Sequence, residues 1–140
     1  MESIPSDFED LFERPSYGVL ATLLPNGIPH QTVVWVDYDG EHVRINTARG
    51  RRKVANIQQD PRIALCVIDP DVPYRYLSLH GEVTAVTEEG AMDHIDALGQ
   101  RYQNVESWSD RYDDDVVRVI LEIEPEGVFT REPYGIEQEE

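Results

Sequence analysis

The chain has 140 residues, 12 Lys and Arg against 28 Asp and Glu, and a net charge of −16. That length suits a single domain over residues 1–140 with one core, large enough to need neither disulfides nor metals to hold it. So negative a chain is repelled by nucleic-acid backbones and by anionic lipid, which argues against both as partners.

The positive charge is almost all arginine; Lys53 is the only lysine. Abundant Asp and Glu with so little lysine is a composition associated with proteins that stay soluble in high salt, where salt screens the self-repulsion. An ordinary acidic protein is the other reading. No apolar run approaches the ~20 residues of a membrane span. The start, "MESIPSDFEDLFERP", is acidic and lacks the apolar segment of a signal peptide. Both point to a cytoplasmic protein that does not enter a membrane. The single cysteine, Cys66, has no partner for an intramolecular bridge and sits in "RIALCVI", as a buried small hydrophobe would.

In chain order, residues 6–14 have Phe8, Leu11 and Phe12 at helical spacing, and Pro15 ends that helix. "SYGVLATLL" reads as a first strand and "PNG" at 25–27 as a turn. "IPHQTVVWVDY" is a second strand whose Thr32, Val34 and Val36 alternate with Gln31, Val33 and Trp35. "DG" at 39–40 predicts a hairpin, and "HVRINT" returns as a third strand, completing an antiparallel meander. A short helix follows over about 51–58. "QDPRIALCVIDP" and "YRYLSLHGEVTAV" are strands, 88–103 is an amphipathic helix with Met92, Ile95, Leu98 and Tyr102 on one stripe, and "VVRVILEIEPEGVFT" is a long final strand. The tail "GIEQEE" reads as frayed. Six or so mostly antiparallel strands with two to three short helices predict an α+β domain on a closed or partly closed barrel.

Against this acidic background one stretch is an exception. "NTARGRRKVANI", Asn46 to Ile57, holds Arg49, Arg51, Arg52 and Lys53, four of the twelve positive residues in five positions. Asn46 and Thr47 end a strand, Gly50 permits a tight turn, and a helix begins near Arg51. A helix start offers unpaired N–H groups and a partial positive charge. Guanidinium forks and an ammonium group add donors for phosphate oxygens. The arrangement reads as a phosphate site, or as a solvated basic turn that pairs with nearby carboxylates. It is neither a Walker loop nor a dinucleotide fingerprint, since GxxxxGK[ST] and GxGxxG are absent.

The run "NTARGRRKVANIQQDPRIALCVIDPDVPYRYLSLHGEV" resembles the flavin- and deazaflavin-binding split-barrel family, the pyridoxamine 5'-phosphate oxidase-like proteins. Its likeness is to the branch described as probable coenzyme F420-dependent enzymes. "YGVLATLLPNGIPHQTVVWV" is similar to the family's first hairpin and "RVILEIEPEGVFT" to its closing strand, so the resemblance spans about 15–130. It implies a six-stranded antiparallel Greek-key split β-barrel, a homodimer with cofactor grooves at its interface, and an oxidoreductase acting on a small-molecule substrate. It implies coenzyme F420 as cofactor, with FMN as the alternative. Asn46, Thr47, Arg51 and Lys53 match positions that hold the cofactor phosphate. Gln31, Val33 and Trp35 match the strand lining the ring, and Tyr76 matches a position near the groove.

No catalytic constellation stands out. His30, His42, His80 and His94 lack metal-ligand spacing, so no metal site is expected. His94 lies in a helix among carboxylates and reads as solvated. Trp108 with Tyr112 is a dimer contact or a local packing pair. No serine sits in a G-x-S-x-G elbow. This suits an enzyme whose redox chemistry resides in a cofactor; it also suits a protein that only binds a flavin or haem. Tyr76 or water is the expected proton donor.

Overall fold

The computed structural model describes residues 2–133; the tail from 134 on, read above as frayed, lies outside them. A 3-10 helix, Ser6–Phe12, precedes β1 (Gly18–Leu23), β2 (Pro29–Val34), β3 (Val36–Tyr38), β4 (Val43–Ala48), α1 (Arg52–Gln59), β5 (Arg62–Ile68) and β6 (Tyr76–Thr87). There follow α2 (Ala91–Gln103), a second 3-10 helix (Trp108–Arg111) and β7 (Arg118–Arg131). The result is an α+β fold around one curled antiparallel sheet of seven strands, in the order β2-β1-β5-β6-β7-β4-β3.

The sequence reading expected six strands. The seventh arises because the strand across 28–38 is broken at Trp35. Its first half, β2, pairs with β1; its second half, β3, pairs with β4. The two halves therefore form opposite edges of the sheet, although one residue separates them. The sheet must curl until its two edges meet at Trp35, which leaves a half-barrel joined by the chain at that one point.

Tyr102 of α2 fills that seam. Its hydroxyl accepts a hydrogen bond from the Val36 N–H (3.0 Å) and donates to the Ser16 carbonyl (2.7 Å). The Val36 N–H is thereby satisfied where the ladder is interrupted. The Tyr102 ring stacks on Trp35, with centroids 5.1 Å apart and planes 11° from parallel.

Inside the barrel, alternate residues pack together: Leu20, Val34, Val36, Val43, Ile45, Leu65, Val67, Leu77, Leu79, Val119, Leu121 and Ile123. Phe8, Leu11 and Phe12 add to this core from the N-terminal 3-10 helix. Arg75 and Arg14 tie that helix to the loop after β5, bridging Asp10 and Asp69. Burial works to raise the Asp69 carboxyl, but the Asp71 and Val72 N–H groups and both arginines outweigh it and hold it well below the usual range.

The outer face carries a second row across the strands: Val33, Val19, Cys66, Ser78 and Phe129 are neighbours in register. Val33 is 68% and Phe129 63% exposed. Cys66, expected in the core, is half-buried on this face, and burial alone pushes its thiol up. The odd-numbered β1 and even-numbered β5 positions face outward, the opposite parity to the core, which is why an apolar flank misled the expectation.

Burial pushes the Tyr102 phenol up to about 12, with the Val36 hydrogen bond only partly opposing it. Below pH 10 the phenol is neutral in both folded and unfolded chains. Above it, only the unfolded chain ionises readily, so stability falls as pH rises from 10 to about 12. The loss on this account is roughly 2–3 kcal/mol. Tyr102→Phe should be less stable at pH 7 by about 1–3 kcal/mol, because the Val36 N–H loses its acceptor. It should also show a flatter decline across that alkaline window. Urea unfolding of both proteins at pH 8 and pH 11.5 checks this; parallel declines would refute it.

Candidate functional site

A cleft of about 310 Å³ opens beside the Trp35 seam. One side is basic: Arg51 and Lys53 at the start of α1, and Arg118 at the start of β7. Asn46 and Thr47 supply its floor from the end of β4. The other side is apolar and aromatic, formed by Val33, Val34, Trp35, Ile95, Trp108 and Tyr112.

The aromatic wall is locked from behind. Trp35 stacks on Tyr102 and meets Trp108 edge-on at 5.1 Å. Trp108 Nε1–H donates to the Tyr112 hydroxyl (3.0 Å). Trp108 packs so closely on α2 that a β-carbon at Gly99 would fall 2.4 Å from its Cβ, so only glycine admits it.

The basic side is organised by the turn before α1. Gly50 takes φ +93°, the left-handed conformation that the reversal needs. Arg51 is then the N-cap of an eight-residue helix with no side-chain cap, and no acidic residue sits in its first turn. The first-turn N–H groups and the helix dipole add to the side-chain charge.

Arg49 pairs with Glu88 at 2.7 Å, as a solvated basic turn would. Arg51, Arg52, Lys53 and Arg118 have no carboxylate partner among the described residues. Burial first, then the charges of Arg51 and Arg118, lower the Lys53 ammonium pKa. The Arg118 guanidinium is likewise lowered, mainly by burial, with Arg51 adding to the effect against Tyr112. Lys53 and Arg118 are thus partly desolvated like charges beside the exposed Arg51, an arrangement that favours a bound anion.

Of the seven residues expected at the cofactor site, Trp35, Asn46, Thr47, Arg51 and Lys53 line this cleft. Gln31 and Tyr76 do not. Gln31 lies on the outer face of β2, opposite Ala21. Tyr76 opens β6 between Ile68 and Arg131. Asn46 lines the cleft with its amide already engaged: Nδ2 donates to the Ala91 carbonyl (2.8 Å) and to His94 Nδ1 (3.1 Å), and Oδ1 accepts from Arg118 Nε (2.8 Å). His94, expected in solvent, is 6% exposed.

Arg118, Trp108, Tyr112 and Ile95 are cleft residues that the sequence reading did not place there. Arg118 carried a signal. It is the one positive residue on the polar face of a strand whose other members there are Glu122 and Glu124. Trp108 and Tyr112 come from an irregular segment, and only the packing on Gly99 brings them in.

Comparison with known proteins bears on what such a cleft belongs to. The sequence profile described as pyridoxamine 5'-phosphate oxidase matches residues 4–132. The chain belongs to the pyridoxamine 5'-phosphate oxidase family. The solved structure of an F420 reductase, 36% identical, superposes on this family member with a TM-score of 0.76, covering 90% of this chain and 98% of that one. A conserved hypothetical protein from Mycobacterium tuberculosis is 24% identical, with a TM-score of 0.71 and coverage of 99% and 91%. The haem-storage protein HutZ from Vibrio cholerae is 16% identical, with a TM-score of 0.68 and coverage of 93% and 96%. These last two share the fold and carry no further argument. No curated protein sequence matches at a significant level. Among the described residues no helix is long and apolar enough to cross a membrane.

Lys53 sits among like charges, so the ligand-free protein should gain from its removal. Lys53→Met is expected to leave the unfolding free energy unchanged or to raise it by up to about 1 kcal/mol. A drop in the urea midpoint would show that Lys53 has a stabilising partner and would contradict the unpaired cluster.

Proposed function

We propose that this protein is an F420-dependent oxidoreductase, in which a bound deazaflavin supplies hydride for reduction of a small organic acceptor. The observation that carries this is the meeting of Arg51, Lys53 and Arg118, all without carboxylate partners among the described residues, with the Trp35, Trp108 and Tyr112 wall. A phosphorylated ring compound has both halves of that chemistry: an anion for the cations and a flat apolar body for the aromatics. The 36% identity to an F420 reductase supports the deazaflavin.

FMN is the second reading, supported by the family match; its single phosphate would use the same cations. What favours the longer cofactor is room. A compartment of about 350 Å³ adjoins the cleft, shares Arg51, Tyr112 and Arg118 with it, and is lined further by Arg49 and by one carboxylate, Asp115. A deazaflavin, with a phosphodiester and a glutamate tail, would extend into it.

The residues of this chain bind and orient. The cleft lining contains no carboxylate and no imidazole. The groups on hand are the donors of Arg51, Lys53 and Thr47 for anionic oxygens, the aromatic wall to exclude water, and the Tyr112 hydroxyl. That hydroxyl accepts from Trp108 and retains its own hydrogen for donation, which makes it a better-placed proton source than Tyr76.

A homodimer is part of this reading. Val33 lines the cleft and also begins the exposed outer row that ends at Phe129. Gln31 and Tyr76 lie on the same outer face, so docking a second copy there would bring both to the interface on which the cleft opens. Exposed apolar surface of this kind favours burial against a partner. The protein would act in a cytoplasm rich in salt, as the charge of −16 suits.

Titration with coenzyme F420 and with FMN in high salt, followed by sedimentation of the same samples, tests the reading. F420 should bind more tightly. Arg51→Ala and Lys53→Ala should each weaken binding by about 10- to 100-fold, the value of roughly 1.5–3 kcal/mol for a charged contact. Phe129→Glu should sediment as a monomer and bind poorly. Full affinity in both charge variants would remove the phosphate assignment, and a dimeric Phe129→Glu would remove the proposed interface.

A further inference from the structure

Arg118 is 8% exposed. Its Nε donates to Asn46 Oδ1, and its guanidinium lies 4.6 Å from the centre of the Tyr112 ring. Its Nη groups have no hydrogen-bond partner among the described residues, and they border both the cleft and the adjoining compartment. Those Nη groups reach the water of the cleft, and an oxyanion entering it can take that water's place.

What fixes its direction is Asn46, and what fixes Asn46 lies deeper. An amide side chain can be turned either way round, and its partners decide which. Here Nδ2 has two acceptors, the Ala91 carbonyl and His94 Nδ1. Turning the amide would set its oxygen against that carbonyl and its NH₂ against Arg118 Nε.

His94 offers an acceptor at Nδ1 only if its hydrogen is on Nε2. Nε2 lies 3.1 Å from Asp37 Oδ2, and a carboxylate can only accept. Asp37 is held in turn by a two-pronged contact from Arg44, Nε to Oδ1 at 2.9 Å and Nη2 to Oδ2 at 2.8 Å. Burial works to raise the Asp37 carboxyl, but the bonds from His94 and Arg44 outweigh it and keep it below the usual range. Every hydrogen in the string then has one acceptor: Arg44 to Asp37, His94 to Asp37, Asn46 to His94, Arg118 to Asn46. No such order runs the other way.

We propose that Arg118 is a third cation gripping the anionic group of the ligand, and that the string Arg44–Asp37–His94–Asn46, buried at Asp37 and His94, is the device that aims it. This rests on the reading of the cleft as an anion site. Its ligand chemistry is an oxyanion, the phosphate of a phosphorylated ring cofactor. Asn46 and His94 are positioning residues: they act through the guanidinium.

The probes are paired ligands that differ in the phosphate, F420 against its phosphate-free deazaflavin core and FMN against riboflavin. Arg118→Met should weaken the phosphorylated member about tenfold or more and leave the other unchanged. His94→Gln keeps a donor toward Asp37 but lacks the acceptor at the Nδ1 position. It should weaken the phosphorylated ligand about tenfold, and by nothing further in the Arg118→Met background. His94→Asn keeps an acceptor near the Nδ1 position and should lose less than His94→Gln.

Equal weakening of both members of a pair by His94→Gln, or full multiplication of its effect with Arg118→Met, would reduce His94 to a packing residue of α2 and overturn the inference. An Arg118→Met protein with native affinity would overturn it as well, while losses in Arg51→Ala and Lys53→Ala would leave the anion site standing. Native affinity in those two variants, or no binding of any phosphorylated probe, would instead bring down the anion site and this inference with it.

Discussion

Closure of the sheet through a single residue is the constraint on which the rest depends. β2 and β3 are the two edges of one sheet, and Trp35 joins them. Such a junction cannot keep an unbroken ladder, because the strand must leave one neighbour and join another. Tyr102 satisfies the backbone there and stacks on the tryptophan. The same junction gathers the site. It sets the end of β2 beside the end of β4, and it brings α2 over both, with Asn46 bonded to Ala91 and His94. The cleft is the gap that the change of edge leaves open.

Into that gap the chain places charge in a way that its own stability does not favour. Several other arginines meet carboxylates: Arg14 and Arg75 with Asp10 and Asp69, Arg44 with Asp37, Arg49 with Glu88, Arg62 with Asp60; Arg101 instead donates to the Phe12 carbonyl and Arg111 lies over the Trp108 ring. With 28 acidic residues available, partners are not scarce. Yet Arg51, Lys53 and Arg118 face one another, and burial lowers the pKa of Lys53 and Arg118. Local rules of this kind are broken where a site needs them broken. A ligand that brings the missing negative charge would stabilise the folded state through binding alone.

Much of this was legible in the sequence, and the failures have physical causes. The strands followed from alternation, and the basic helix start followed from four positive charges in an acidic chain, because both are local properties. The break at Trp35 was not legible: Thr32, Val34 and Val36 alternate smoothly through it, and only the closure of the sheet forces the change of partner. Arg118 is distant in sequence from Lys53 and joins it through the pairing of β4 with β7. His94 read as solvated because its sequence neighbours, Asp93 and Asp96, are acidic; the α2 face it occupies is set against Asp37 and Asn46 instead. Gln31 and Tyr76 point to the outer face of the sheet because their strand parity is opposite to that of the core residues beside them, which a match by resemblance does not reveal.

Because Lys53 is the only lysine, its ammonium can be followed by itself. Titrating lysine labelled at the ε-carbon by NMR, in the ligand-free protein and with a bound phosphorylated flavin or deazaflavin, reads the charge environment of the cleft directly. The account predicts a pKa below the ordinary lysine range without ligand and a clear rise when the phosphorylated compound binds, with no rise for its phosphate-free counterpart. An ordinary pKa that stays the same in all three states would contradict it.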